Sequence, residues 1–86
     1  MPHYVYMLLS VNSLTLITYV GYSIDPKKRL KRHNKGIGAK FTKGRQWKII
    51  YKKKLKNKSD ALKFEYFLKK NIKLRKNIKD KYINEH

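Results

Sequence analysis

An α+β domain is what this sequence predicts: a three-stranded antiparallel sheet flanked by helices, in the order β-β-α-β-α-α. Three observations lead there. Short runs rich in aromatic and β-branched residues occupy 3–9, 14–20 and 46–55. Between the second and third, Asp25-Pro26 opens a helix-forming segment. From Ser59 onward, apolar residues recur at helical spacing.

The elements follow in order. In His3–Leu9 both alternating sets are apolar, Tyr4, Tyr6, Leu8 and Val5, Met7, Leu9, which suits a strand covered on both faces. Val11-Asn12-Ser13 reads as a turn, and Leu14–Val20 pairs back as a hairpin partner that ends at Gly21. The first helix spans Pro26 to Asn34, with Asp25 as N-cap and Pro26 at the first helical position. Gly36, Gly38 and Gly44 punctuate a basic loop, and its G-x-G is isolated from any phosphate-loop pattern. In Gln46–Leu55, Trp47, Ile49 and Tyr51 alternate with Lys48, Ile50 and Lys52, so one face is expected to be largely wet. Ser59 is the expected cap of a second helix carrying Ala61, Leu62, Phe64, Phe67, Leu68 and Ile72, with Asp60 in its first turn. The basic tail from Lys73 to His86 is expected to form a third helix.

Composition narrows the function. The chain has 86 residues, expected to form one domain with a thin core. Lys and Arg number 23 against 5 acids, a net charge of +18. Repulsion on that scale works against a compact fold unless a polyanion relieves it, so nucleic acid leads, DNA or RNA, ahead of an anionic membrane. Seven tyrosines and 41% hydrophobic residues argue against disorder. The absence of cysteine excludes a disulfide frame and a thiolate metal site. No apolar run approaches the ~18 residues of a membrane span, and Met1–Ser10 lacks the basic start of a signal peptide. A cytoplasmic location is expected.

The chemistry concentrates between Thr18 and Asn34. Arg29 and His33, four residues apart on one helix, share a face, and Tyr19 lies on the strand that feeds it. A fixed cation with polar groups that move protons suits phosphodiester chemistry. Glu65 falls on the apolar side of its helix, between Ala61, Leu68 and Ile72. Two readings stand for it: a surface pair with Lys69, or a ligand of a Mg²⁺ ion completed by water and phosphate. Lys27, Lys28, Arg32, Lys40, Lys43 and Arg45 are expected to bind nucleic acid, and the lysines from Lys52 to Lys58 and from Lys69 to Lys81 to form a sequence-independent phosphate-binding surface.

These residues resemble the GIY-YIG nuclease family. Tyr4-Val5-Tyr6 stands at the GIY triplet and Tyr19-Val20-Gly21 at YIG; DPKKRLKRHN from Asp25 matches the arginine helix and SDALKFEYFLKK from Ser59 the glutamate helix. The chain looks most like small free-standing bacterial members related to the incision domain of the nucleotide-excision nuclease. The resemblance implies that Tyr6 and Tyr19 position or deprotonate the attacking water, that Arg29 holds the scissile phosphate, and that His33 handles protons. It implies that Glu65 binds a single divalent metal, Mg²⁺ or Mn²⁺. Asn77 and Tyr22 are further candidates; Tyr22 stands where excision-nuclease relatives tend to have lysine. The expected activity is metal-dependent cleavage of DNA, branched or single-stranded DNA included, with little sequence preference and a link to repair or recombination. The alternative is a non-catalytic nucleic-acid binder on the same scaffold.

Overall fold

The strand with two apolar faces becomes the middle of the sheet. In the computed structural model, which describes residues 1–11 and 15–86, β1 (His3–Ser10) lies between β2 (Thr18–Ser23) and β3 (Trp47–Leu55), antiparallel to both. Every residue from Val5 to Ser10 is buried. Three helices complete the chain: α1 (Pro26–Asn34), α2 (Lys58–Lys70) and α3 (Ile72–Glu85). The element order and the α+β architecture are those expected.

One sheet face meets α2 and α3. Val5, Met7 and Val20 pack there against Ala61 and Leu68, with Tyr51, Phe64 and Leu74 at the margin. The other face meets α1 and the loop after it, through Tyr6, Leu8 and Trp47, with Tyr19, Leu30 and Ile49 beside them. α1 has the expected bounds: Asp25 accepts the Lys28 backbone N–H at 3.2 Å, and Pro26 occupies the first turn.

Several expectations are corrected. β2 starts at Thr18 and runs through Gly21, which pairs with Tyr6, instead of ending there. The expected turn at Val11-Asn12-Ser13 and the strand start at Leu14 fall on 12–14, outside the described residues. In β3 the pairing passes from Met7–Tyr51 to Leu8–Ile49, so Ile50 is an extra, bulged residue. A bulge reverses the facing of everything beyond it. Trp47 and Ile49 therefore face α1, whereas Tyr51 joins the opposite cluster.

Asn57, not Ser59, caps α2: its backbone is extended and its side chain accepts the Asp60 N–H at 2.8 Å. Asn71 ends that helix and caps α3 through the Leu74 N–H at 2.9 Å. Ile72 consequently belongs to α3 and is 72% exposed, and Leu62 and Phe67 are also exposed.

Candidate active site

The register of β1 and β2 builds the floor. Tyr6 pairs with Gly21 and Leu8 with Tyr19, so both tyrosines stand on the face that meets α1. Gly21 has no side chain, and the Tyr6 phenol lies across it; a Cβ there would overlap the Tyr6 hydroxyl. The phenol is thereby aimed at His33 in the last turn of α1, with Tyr6 Oη 2.9 Å from His33 Nε2. His33 Nδ1 lies 2.8 Å from Thr42 Oγ1.

The hydrogen bonds assign the protons. Thr42 O–H donates to the Ala39 carbonyl at 2.9 Å, so its oxygen is the acceptor for His33 Nδ1–H. Nε2 then carries a lone pair and accepts the Tyr6 O–H. The loop that supplies Thr42 is held down by Trp47, whose indole N–H donates to the Thr42 carbonyl at 3.0 Å. Asn34 brackets the Trp47 backbone, accepting its N–H at 2.7 Å and donating to its carbonyl at 3.1 Å. Gly38 lies flat against the imidazole: a Cβ at this position would sit 2.9 Å from the His33 Cα, inside any real contact.

Burial raises the Tyr6 hydroxyl above its usual pKa, while hydrogen bonding from Arg29 and its charge pull the other way; Tyr19 and Glu65 push it up. Burial, followed by the charge of Arg29, lowers His33 below the usual imidazole value. The pair is therefore a neutral phenol on a neutral imidazole. The same influences place Arg29, Tyr19 and Glu65 within electrostatic range of the Tyr6 oxygen. The Tyr19 and His33 rings meet edge to face with centroids 5.2 Å apart. Of the five residues singled out in the sequence, Tyr6, Tyr19 and His33 are in direct contact, and Arg29 and Glu65 act on the Tyr6 hydroxyl. Two of them do not face solvent: Tyr6 and His33 are fully buried, because Gly21 and Gly38 let strand and loop close over them. Tyr19, Arg29 and Glu65 remain partly exposed.

Arg29 Nε is buried and has no hydrogen-bond partner. Glu65 is 19% exposed at its side chain, with Oε2 3.5 Å from Lys69 Nζ, so the surface-pair reading is realised in the geometry. Among the described residues, no three His, Asp or Glu side chains converge as a ready-made metal cage. A single accessible carboxylate nevertheless fits a hard cation that keeps water and takes phosphate oxygens. The half-exposed Lys69 can swing aside.

The basic set divides. Lys28 and Arg32 join Arg29, Tyr22 and Ser23 in lining a hollow of about 560 Å³, and Lys27 lines the next one along α1. Lys40, Lys43 and Arg45 lie exposed on the loop, outside both hollows. Tyr22 has its hydroxyl 2.8 Å from His3 Nδ1, with the rings stacked. Asn77 is exposed on α3, and among the described residues no hydrogen bond joins it to the five. Sequence reasoning missed Thr42, Gly38 and His3; only the G-x-G at Gly36 and Gly38 was a visible signal.

The GIY-YIG catalytic domain family matches residues 2–86. This chain belongs to that family, which is one of endonucleases. A UPF0213 protein of Bacillus licheniformis is 40% identical over 84 residues, covering 96% of this chain and 80% of that one. A UPF0213 protein of Pediococcus acidilactici is 44% identical over 55 residues, covering 60% of this chain and 56% of that one. Among solved structures, the UPF0213 protein BH0048 of Bacillus halodurans is similar, with 33% identity and a TM-score of 0.48 over 90% of this chain and 80% of that one. No helix among the described residues is long and apolar enough to cross a membrane.

Proposed function

We propose that this protein is an endonuclease that hydrolyses DNA phosphodiester bonds with little sequence preference, assisted by one Mg²⁺ or Mn²⁺ ion. The observation that carries this reading is the buried, unpartnered Arg29 Nε beside the Tyr6–His33 pair, with Tyr19 and Glu65 around it. A buried donor left without a partner costs about 1–3 kcal/mol. A phosphate oxygen is the acceptor that a guanidinium fits best.

Each group then has a task. Arg29 grips the scissile phosphate and stabilises the charge that builds on it. Tyr6, its proton held on His33, turns its oxygen toward Arg29 and fixes the guanidinium without adding a second positive charge. Tyr19, partly exposed, orients the attacking water. Glu65 would hold the divalent ion, which when bound would supply Lewis acidity to the reaction. The net charge of +18 supplies affinity without base reading. Selection of branched or single-stranded DNA, and a place in repair or recombination, extend the same reading.

The test is cleavage of plasmid and branched DNA with Mg²⁺ or Mn²⁺. Arg29→Ala and Glu65→Gln are each expected to slow cleavage roughly 10²–10³-fold; rates equal to the parent's in both would overturn the proposal. The Glu65–Lys69 ion pair at 3.5 Å favours a second reading, a catalytically idle nucleic-acid binder. In that case Glu65→Gln binds DNA as well as the parent or better, and a chelator changes nothing.

A further inference from the structure

A second guanidinium with a buried, unpartnered Nε lines a hollow beside Tyr19. Among the described residues, Arg29 and Arg75 are the two with a buried side-chain nitrogen lacking any partner, Nε in each. Arg75 lines a hollow of about 200 Å³ together with Thr18, Tyr19, Phe41 and Lys69. It also lines a second one of about 210 Å³ with Lys76 and Lys79. The apolar wall of the first hollow is unusual for a surface this basic. Phe41 is 57% exposed, yet its ring stacks on Tyr19 with centroids 6.0 Å apart and planes 20° apart. Trp47 braces it from a tilted position at 6.4 Å.

We infer that this hollow is a subsite for one unpaired DNA nucleotide next to the scissile phosphate, its base stacked on Phe41 and its phosphate on Arg75. The inference rests on the nuclease reading for the position of the scissile phosphate at Arg29. Three features select the ligand. An exposed aromatic ring held by two others is a rigid stacking platform, and stacking is indifferent to base identity. Arg75 Nε–H needs an acceptor, and phosphate supplies it. Bases inside a duplex are already stacked on both sides and offer only their edges, so the platform takes a base only where the strand is open. The subsite thus selects flaps, junctions or single strands, with no helix needed to read sequence.

The experiment is fluorescence anisotropy with the full chain in EDTA, where binding is read without cleavage. The probes are a fluorescein-labelled single strand, a flapped duplex and a blunt duplex. Phe41→Ala is expected to weaken single-strand and flap binding about tenfold and to leave blunt-duplex binding unchanged, while Phe41→Trp keeps the parent's affinity. Arg75→Met is expected to reduce the salt dependence of single-strand binding by about 0.7 in the log–log slope, one phosphate contact. Equal weakening of all three probes by Phe41→Ala, or of none, overturns the subsite. The two ideas fail separately: loss of the platform effect with cleavage intact sinks this inference alone. Absence of cleavage with the platform effect present sinks the nuclease reading and with it the position next to a scissile phosphate, and leaves the unpaired-nucleotide subsite standing.

Discussion

Under α2 and α3 the sheet offers Val5, Met7 and Val20 to Ala61 and Leu68; under α1 it offers Tyr6 to His33 and Thr42. The first face is held by apolar area, which is non-directional and tolerates exchanges of similar volume. The second adds to its own apolar cluster of Tyr6, Leu8 and Trp47 a chain of hydrogen bonds running from Tyr6 through His33 and Thr42 to the Ala39 carbonyl, each donor with one acceptor. Such a chain holds one geometry or none, and a partly satisfied one is worse than an apolar core. The contrast teaches that this small domain has one side of the sheet held by apolar packing alone and the other by packing joined to a fixed polar chain. The two sides are linked through Glu65, which α2 brings within electrostatic range of the Tyr6 phenol.

The sharpest way to break this division is Leu68→Ala. Leu68 is fully buried at the centre of the apolar cluster, and the truncation is expected to cost about 2–5 kcal/mol, read by urea unfolding. Cleavage measured well below the melting temperature should survive it. Tyr6→Phe is the complementary change. It leaves His33 Nε2 buried without its donor, for about 1–3 kcal/mol, and cleavage should fall further than the lost stability explains. Similar losses of cleavage from both substitutions, in folded protein, would dissolve the distinction.

Gly38→Ala belongs with Tyr6→Phe. Its new methyl would press on the His33 Cα, which is backbone and cannot rotate away, so about 1–3 kcal/mol of strain is expected together with loss of cleavage.

Acid sharpens the comparison next. His33 is lowered below the usual imidazole pKa of 6.5 in the folded chain, first by burial and then by Arg29. The unfolded chain therefore binds the proton more readily. The stability contributed by neutral His33 is complete above pH 6.5 and is lost as pH falls from there through its lowered folded value. Tyr6 mirrors it at the alkaline end: raised by burial, it contributes stability that is complete below pH 10 and lost as pH climbs through its folded value. Urea unfolding between pH 7 and pH 5 should show a slope that His33→Gln reduces, and Leu68→Met should leave that slope intact.

How much of this was legible in the sequence depended on whether the signal was local. Asp25-Pro26 marks α1 because capping and a fixed φ act within one turn, and the bounds agree to the residue. The apolar doubling of β1 marks the central strand for the same reason. Tyr6, Tyr19, Arg29, His33 and Glu65 could be singled out by motif; Tyr6 and Tyr19 both meet His33, and Arg29 and Glu65 act on the Tyr6 hydroxyl. What stayed hidden was relational. Gly21 looked like a strand end because nothing in the sequence shows a phenol crossing it. Gly38 and Thr42 gained meaning only when the loop folded back on His33. The bulge at Ile50 depends on the partner strand, so it reversed the facing of Tyr51 without any local sign.

The smallest expected effect concerns which residue starts α2. The helix that delivers Glu65 has two polar residues at its entrance, Asn57 and Ser59, and either chemistry could cap it. The structure gives the role to Asn57, whose side chain accepts the Asp60 N–H at 2.8 Å, while Ser59 is already inside the first turn and exposed. Asn57→Ala should therefore cost about 1 kcal/mol and Ser59→Ala less than about 0.5 kcal/mol, the usual range for an exposed change that touches nothing. Thermal melts of the two variants side by side decide it, since the expected gap is larger than the error of such a pair. A reversed order would move the start of α2 and, with it, the turn on which Glu65 approaches β2. The distinction matters to the site for that reason. A helix beginning two residues later has about half a turn less before Ala61 packs on the sheet, and Ala61 lies one turn ahead of the carboxylate. Weakening that entrance should loosen the approach of Glu65 while leaving in place the Tyr6–His33 pair, to which α2 makes no hydrogen bond among the described residues.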